Sequence, residues 1–238
     1  MWQLTAGCMV QFGLLLAQAL SAGAYITYLE VRFPLPGKRA PRGSVWPEPQ
    51  VMVSSKLQRH LLPGSFRITT NDDPGSRECD VLAKGAARYA KLLFFNAMSA
   101  DGDEYDVSPG RQLDRLDVNV SLLAEQYCRY PRFGDDESYN LTVPADGNAF
   151  LNSTTVWGAL RGLETFSQLF YQHPESKQFL VNVTSVRDHP RLLYRGLLMD
   201  CTTRFLPVKT LKRNLDAMAY NKFNVFHWLL GDATAWRL

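Results

Sequence analysis

The chain has 238 residues, of which 46% are hydrophobic and 21% are charged, and its formal net charge is +3. This composition is typical of a globular protein and excludes a fibre, a collagen-like repeat and a disordered chain. Because the net charge is small, it gives no reason to expect nucleic acid or an anionic surface as a partner. The length suits a single domain or one domain plus part of a second, whereas a complete eight-stranded α/β barrel needs about 250 residues by itself.

The first 24 residues are predicted to be a secretory signal. Residues 1–24 carry no charge, contain an apolar stretch and end in Ala22-Gly23-Ala24, which satisfies the small-x-small rule for cleavage. An uncleaved signal anchor is the alternative, because no Lys or Arg precedes the apolar stretch. No later segment has 18 consecutive apolar residues, so no membrane span is expected after signal removal. Residues 25–45 are predicted to be an extended leader rich in Pro and basic residues.

Four N-glycosylation sequons also favour the secretory pathway, with a lysosomal or extracellular destination. Residues 116–122 and 139–143 alternate apolar with polar side chains, which places the sequon asparagines of these runs on the solvent face of a strand. Such sequons mark surface positions in secreted proteins. The acceptor asparagines are Asn119, Asn140, Asn152 and Asn182.

The cysteines and histidines predict a disulfide rather than a metal site. Three cysteines follow the signal, and the simplest outcome in an oxidising compartment is one disulfide with one odd thiol. The four histidines are too widely separated in the sequence to predict a ligand cluster, so neither a metal nor another cofactor is expected. These cysteines are Cys79, Cys128 and Cys201, and the histidines are His60, His173, His189 and His227.

The body of the chain alternates predicted strands and helices. Residues 50–54 and 66–69 are short β-prone runs, and residues 81–94 have the apolar spacing of a helix. After the two strands with sequons, a second helix is predicted behind an N-cap at Asn152, Ser153 or Thr154. Residues 179–183 alternate as a further strand, and together 46–190 predict one α/β sandwich with an antiparallel-rich sheet. In the second helix, Val156, Leu160, Leu163, Leu169 and Phe170 are expected to be buried, and Arg161, Glu164 and Gln168 to face solvent.

The pattern changes after Pro190. Residues 195–200 form a continuous apolar run, typical of a strand buried on both faces. Pro207 favours a helix start, and residues 224–228 are a second buried strand. Strand, helix and parallel strand form the repeat unit of a (β/α)8 barrel, whose active site is lined by polar residues at the carboxyl ends of strands, such as Asp200. The apolar face of the helix is expected to be Leu211, Leu215, Met218 and Ala219, and the aromatic core residues to include Trp157, Phe166 and Trp228.

Five ordered segments carry a resemblance to a known family: 46–50, 137–141, 156–169, 194–200 and 216–228. Among them are VWGALRGLETFSQL at 156–169 and AMAYNKFNVFHW at 217–228. Over these segments the chain resembles the β-N-acetylhexosaminidases of glycoside hydrolase family 20. The resemblance implies an α/β fold, with an N-terminal α+β sandwich domain at 46–190 and an incomplete start of a (β/α)8 TIM barrel at 191–238. It also implies a disulfide between Cys79 and Cys128, with Cys201 left buried and free.

The resemblance further implies the removal of terminal N-acetylglucosamine or N-acetylgalactosamine from glycans, glycolipids or chitin oligomers. In the family's mechanism the 2-acetamido oxygen of the substrate attacks C1, a Glu acts as general acid, and the preceding Asp orients the acetamido group. That pair follows the fourth barrel strand, so it is expected to lie beyond residue 238. The chain as given is therefore expected to be inactive alone.

Few family site positions fall within this sequence. The arginine that clamps sugar hydroxyls corresponds to Thr203, and Arg204 lies one residue further on, where a side chain turns to the opposite side. Asp232 matches one aspartate of the family's site, although the sequence from Leu229 onward no longer resembles the family. We therefore expect an N-terminal isoform or a gene-model fragment of a hexosaminidase. The alternative is a non-catalytic secreted protein that binds a glycan or pairs with a hexosaminidase subunit.

Overall fold

A mixed seven-stranded sheet dominates the computed structural model, which describes residues 40–71, 80–95, 111–122, 130–202 and 205–231. The strands are β1 (Val51–Leu61), β2 (Arg67–Thr70), β3 (Arg115–Leu122), β4 (Tyr139–Val143), β5 (Ala149–Thr155), β6 (Tyr171–Gln172) and β7 (Phe179–Asp188). They follow the order β1-β7-β4-β5-β3-β2, with β6 paired to β7. β2, β3 and β5 run parallel, whereas β4 is antiparallel to β5 and β7, and β1 is antiparallel to β7.

Two helices, α1 (Asp80–Leu93) and α2 (Val156–Leu169), pack against each other and against this sheet. Gly158 and Gly162 lie one turn apart on the side of α2 that meets the strands. A Cβ atom at Gly158 would lie 2.2 Å from the backbone oxygen of Ser138, and one at Gly162 would lie 2.2 Å from Cδ1 of Leu151. The two glycines therefore allow the helix to approach the sheet more closely than any side chain would.

The core lies between the helices and one face of the sheet. Phe166 of α2 is 1% exposed and stacks on Phe66 with ring centroids 5.9 Å apart. Buried side chains that alternate along β3, β4 and β5 complete the layer, because successive strand residues point to opposite faces. These strand residues are Leu116, Val118, Val120, Tyr139, Leu141, Val143, Ala149 and Leu151.

Arg59 of β1 is the largest side chain buried in this layer, with 1% of its surface exposed. Its guanidinium donates to four backbone carbonyls, those of Arg111, Gln112, Pro144 and Gly147, at 2.6–3.2 Å. A guanidinium has enough donors to satisfy several acceptors at once. Arg59 thus joins the edge strand to two connecting segments, and it shares the Arg111 carbonyl with the backbone N–H of His60, which donates at 2.9 Å.

A separate two-stranded parallel sheet follows, formed by β8 (Gly196–Asp200) and β9 (Val225–Leu229), with helix α3 (Val208–Tyr220) between them. This βαβ unit is the predicted repeat of a barrel, and the whole described chain has an α/β fold. The expectation that its first strand is buried on both faces is wrong, because Leu198 is 56% exposed. Among the described residues β8 pairs only with β9, so one edge of the strand has no strand beside it.

Several local predictions also need correction. The N-cap of α2 is Thr155, whose side chain accepts from the backbone N–H of Gly158, while residues 152–154 belong to β5. Glu164 is buried rather than solvent-facing, because its carboxylate accepts from the Tyr89 hydroxyl at 2.8 Å. Leu215 of α3 and Trp228 of β9 are 45% and 44% exposed, so neither is a core residue in this structure. None of the helices in the described ranges has the length and hydropathy needed to cross a membrane.

Candidate functional site

The carboxyl ends of β8 and β9 form the edge at which a barrel would place its active site. Asp200 is the last residue of β8 and stands opposite Leu229 of β9. Its Oδ1 accepts from the backbone N–H of Thr202 at 2.8 Å and from the Thr202 hydroxyl at 2.7 Å. The carboxylate therefore sits at this edge, fixed by the turn that follows it.

The other predicted substrate-binding positions cannot be placed at this edge. Thr203, Arg204 and Asp232 lie outside the described residues. These three positions remain sequence-based expectations. Of the predicted polar positions at this edge, the structure describes Asp200, which ends β8.

Cys201 follows Asp200 and is a free, half-buried thiol rather than a fully buried one. Its sulfur accepts from Nε1 of Trp228 at 3.3 Å, and its backbone N–H donates to the Leu229 carbonyl at 2.9 Å. Cys79 and Cys128, the predicted disulfide partners, lie outside the described residues. The two barrel strands are thus joined one residue beyond Asp200, at the same edge.

The opposite, amino ends of β8 and β9 meet the larger sheet domain through a buried ion cluster around Glu137. Its carboxylate accepts from Nε of Arg161 at 2.6 Å and, with both oxygens, from Nη2 of Arg195 at 2.6 and 2.7 Å. Asn224 adds a contact at 3.3 Å. Arg195 precedes β8 and Asn224 precedes β9, so one carboxylate holds the starts of both strands.

Lys222, in the turn between α3 and β9, forms a second buried cluster. It is 6% exposed, and its Nζ contacts the Thr165 hydroxyl at 2.8 Å, the Tyr139 hydroxyl at 2.9 Å and Oδ2 of Asp188 at 3.2 Å. The Tyr139 hydroxyl in turn donates to Asp188 at 2.8 Å. These partners come from α2, β4 and β7, so the ammonium group of Lys222 contacts three elements of the sheet domain.

Burial and charge shift the pKa values of these groups. Burial would raise the pKa of Glu137, but the guanidinium groups of Arg161 and Arg195 outweigh it and lower that pKa below its ordinary value. Burial lowers the pKa of Lys222, and the Asp188 carboxylate offsets only part of this effect. Burial and the same carboxylate raise the pKa of Tyr139. At neutral pH Glu137 is ionised and Tyr139 keeps its proton.

A cavity of about 330 Å³ lies beside the two clusters. Trp46, Glu137, Asp188, His189 and Arg195 are among the residues that line it. Five charged residues of its lining are engaged in ion pairs with one another, namely Glu137, Arg161, Arg195, Asp188 and Lys222. The cavity therefore belongs to a structural junction, and in a barrel this amino-terminal face supports stability while the carboxyl face carries the chemistry.

The sequon asparagines lie on the larger sheet. Asn119, Asn140 and Asn152 are exposed, and Asn182 of β7 is half-buried with its Oδ1 accepting from the Tyr171 hydroxyl at 2.9 Å. The alternation of 116–122 and 139–143 thus predicted the solvent-facing positions of Asn119 and Asn140 correctly.

The histidines do not converge. His60 lies on β1, His227 on β9, and His173 and His189 follow β6 and β7. Within the described ranges, no group of three His, Cys, Asp or Glu side chains is arranged to hold a metal ion. We therefore assign no metal site within the described part of the chain.

Comparison with known families decides the identity of the fold. A family described as "beta-acetyl hexosaminidase like" matches residues 45–169, more than half of the chain, and one described as "Glycosyl hydrolase family 20, catalytic domain" matches residues 193–238. The chain belongs to glycoside hydrolase family 20. The second match contains Asp200 and both barrel strands, so the family's catalytic domain begins in the βαβ unit described above.

Relatives within the family include hexosaminidase subunits and a solved chitobiase. The chain is 36% identical over 228 residues to the beta-hexosaminidase subunit alpha of Bos taurus, covering 95% of this chain and 39% of that subunit. It is 37% identical over 195 residues to the human beta-hexosaminidase subunit beta, covering 81% and 34%. A solved Flavobacterium johnsoniae chitobiase is 33% identical with a TM-score of 0.61, covering 81% of this chain and 28% of that one. The chain thus spans about two fifths or less of these family 20 proteins.

Sequence reasoning missed the two ion clusters of this family 20 chain. Arg161 was expected to face solvent, yet its guanidinium contacts Glu137, and its Nη2 donates to the Phe223 carbonyl at 3.2 Å. Glu137 and Arg195 are 58 residues apart, and nothing in periodicity links them. The one available signal was that both residues lie in segments that carry the family resemblance, 137–141 and 194–200.

Proposed function

We propose that this chain supplies the N-terminal domain, residues 46–190, and the first βαβ unit, residues 191–238, of an enzyme that removes terminal N-acetylglucosamine or N-acetylgalactosamine. One observation carries the proposal. Parallel β8 and β9 place Asp200 at their carboxyl edge, within the segment that matches the family's catalytic domain. This is where a (β/α)8 enzyme keeps its substrate-binding groups.

The proposed reaction is substrate-assisted, with the 2-acetamido group as nucleophile and an Asp-Glu pair supplying orientation and the general acid. The 238 residues contain Asp-Glu only at 103–104 and 136–137, both before the first barrel strand. Glu137 is unsuited to act as the acid, because its buried carboxylate is held ionised by Arg161 and Arg195. We therefore assign this chain positioning roles and expect no turnover from it alone.

Hydrolysis of a chromogenic N-acetylglucosaminide by the purified chain tests this assignment. We expect a rate equal to that of the no-enzyme control, with a complete family 20 enzyme as the positive control. Circular dichroism on the same sample shows that the chain is folded. Turnover above background that Asp232→Ala abolishes would show instead that the chain holds a working site.

A non-catalytic role in subunit interaction is the second candidate, favoured by apolar side chains on the βαβ unit. Leu198 of β8 and Leu229 of β9 lie on the same face of the two-stranded sheet and are 56% and 37% exposed. Such a patch is typical of a surface that another protein covers. Size exclusion with a full-length hexosaminidase subunit tests it: we expect co-elution that Leu198→Ser weakens, and unchanged elution of both proteins would reject the role.

The compartment proposed for the chain is the secretory pathway, with a lysosomal or extracellular destination. The uncharged residues 1–24 and four sequons support it. There, Cys79 and Cys128 would form a disulfide and leave Cys201 as a thiol. Alkylation before and after reduction, followed by mass spectrometry of the secreted chain, tests the pairing, and an alkylated Cys79 or Cys128 in the unreduced sample would contradict it.

A further inference from the structure

Three of the four sequon asparagines stand side by side on the open face of the large sheet. Asn119 of β3 is in register with Asn152 of β5, and Asn152 is in register with Asn140 of β4. Leu151, the neighbour of Asn152, contacts α2, so Asn152 points away from the helices. The exposed row therefore offers three candidate attachment points on consecutive strands.

The spacing of the strands is too small for a sugar on each asparagine. Neighbouring strands lie about 4.8 Å apart, and directly opposite Cβ atoms about 4.5–5.5 Å apart. An N-linked glycan begins with a pyranose ring that bears an acetamido group, and this unit is wider than the strand spacing. Nδ2 of Asn119, the atom that would bond to the sugar, already lies 3.1 Å from Oδ1 of Asn152. Sugars on Asn119 and Asn152 would therefore compete for the same space.

The outer two asparagines are separated by a whole strand. Asn119 and Asn140 both flank β5, on opposite sides, so their Cβ atoms lie about twice one strand spacing apart. Two first sugars fit at that distance if Asn152 between them is bare. Whether Asn152 carries a glycan therefore determines whether Asn119 and Asn140 have room for theirs.

We infer that a glycan on Asn152 excludes glycans on Asn119 and Asn140 in the folded protein. The inference rests on the proposed entry into the secretory pathway. There, Nδ2 of the asparagine loses a proton and bonds to C1 of the first N-acetylglucosamine, while the C1–O bond to a lipid diphosphate donor breaks. Asn119 and Asn152 are 33 residues apart in the chain and meet only when the sheet forms. Chains whose glycans violate the exclusion therefore cannot form the sheet, and the folded protein carries at most two glycans on this face.

Mass spectrometry of tryptic peptides measures directly whether Asn140 and Asn152 are glycosylated on the same chain. Trypsin cleaves after Arg132 and Arg161, and no Lys or Arg lies between them, so Asn140 and Asn152 share one peptide. The full chain is expressed in a eukaryotic secretory host, its folded monomer is isolated, and the glycans are trimmed to a single N-acetylglucosamine. We expect this peptide with one sugar or none. A doubly modified peptide, at the share that independent occupancy of the two sites predicts, overturns the inference.

Two variants sharpen the test. Asn152→Gln and Thr154→Val both remove the central sequon, and the second keeps the asparagine and a β-branched strand residue. Each is expected to raise occupancy of Asn119 and Asn140, whereas the matched control Asn182→Gln leaves both unchanged. Unchanged occupancy in both central variants overturns the exclusion. If none of the four asparagines is modified, secretory entry itself fails and the inference falls with it.

Discussion

The sheet domain and the βαβ unit are stabilised in different ways. In the sheet domain, α1 and α2 cover one face of seven strands, and side chains such as Leu82, Leu141 and Leu163 are completely buried. In the βαβ unit, two residues of α3, Leu211 and Met218, are buried, and the strands remain partly exposed. The first region therefore gains its stability mainly from apolar burial, while the second depends on its contacts with the first.

Buried polar contacts join the two regions. Glu137 binds Arg161 and Arg195, and Lys222 binds Asp188 and Tyr139, all at the amino ends of the barrel strands. Buried ion pairs add little net stability, because both charges lose their hydration. Removing one partner is nevertheless costly, because the other charge stays buried without a counter-charge. The junction should thus fix where the βαβ unit sits, and with it the edge that carries Asp200.

Arg59→Met is expected to have the largest effect, on the sheet domain. The substitution keeps much of the apolar volume but removes the guanidinium donors of four part-buried carbonyls, of which only that of Arg111 keeps another donor, the backbone N–H of His60. Each of the three carbonyls left without a donor costs about 1–3 kcal/mol, so we expect a loss of at least about 3 kcal/mol in the free energy of unfolding. Urea unfolding followed by circular dichroism measures it. A loss under about 1 kcal/mol would mean that the four contacts do not hold the domain together.

Glu137→Gln should affect the βαβ unit more than the sheet. It leaves the guanidinium groups of Arg161 and Arg195 buried without a counter-charge, which costs about 3 kcal/mol. Hydrogen exchange should show lost protection at residues 196–229 and little change in β3–β5. The control is Lys84→Ala, which breaks an exposed pair with Asp80 and should cost under about 0.5 kcal/mol. Equal loss of protection in both regions would contradict the division of roles.

Local patterns predicted the elements of both regions, whereas the junction depended on distant pairings. Helical spacing predicted residues 81–94, and α1 spans Asp80–Leu93. Residues 152–154 are all good capping residues, yet they continue β5, because Asn152 and Ser153 are in register with β3 and only Thr155 reaches the first turn of α2. Arg161 and Glu164 were expected to face solvent since they lie off the apolar stripe. Their partners, Glu137 and Tyr89, come from other segments.

The same limit applies to the candidate site. Hydrophobic runs predicted β8 and β9, and hence Asp200 at their carboxyl edge. The exposure of β8 and β9 depends on which elements pack against them. A run of five residues does not contain this information, so the run could not predict it. The row of Asn119, Asn152 and Asn140 is a similar case: alternation predicts that two of them face solvent, but only the strand order and register make them neighbours.

Gly158→Ala tests the close packing of the sheet domain at a smaller scale. Its new methyl group would lie 2.2 Å from the backbone oxygen of Ser138, which cannot move without shifting the strand. We expect a loss of about 1–3 kcal/mol in the free energy of unfolding. The matched control is Gly85→Ala on α1, where the methyl group meets the mobile end of Leu160 at 2.5 Å and helix propensity improves. Equal losses in thermal or urea unfolding would show that backbone approach is not the reason for glycine at 158.

The smallest expected effect is the pH dependence of the junction, and its sign follows from the pKa of Glu137. That pKa is lower in the folded protein than in the unfolded chain, because Arg161 and Arg195 outweigh the effect of burial. The unfolded chain therefore binds the proton more readily, and the stabilisation is full above the unfolded pKa of about 4.3 and is lost as the pH falls through the folded value. The difference in unfolding free energy between the native chain and Glu137→Gln should shrink over that acidic range. Arg195→Met removes one cause of the shift, so its stability should fall less steeply with acid. A steeper fall in that variant would show that another carboxylate controls the acid response of the junction.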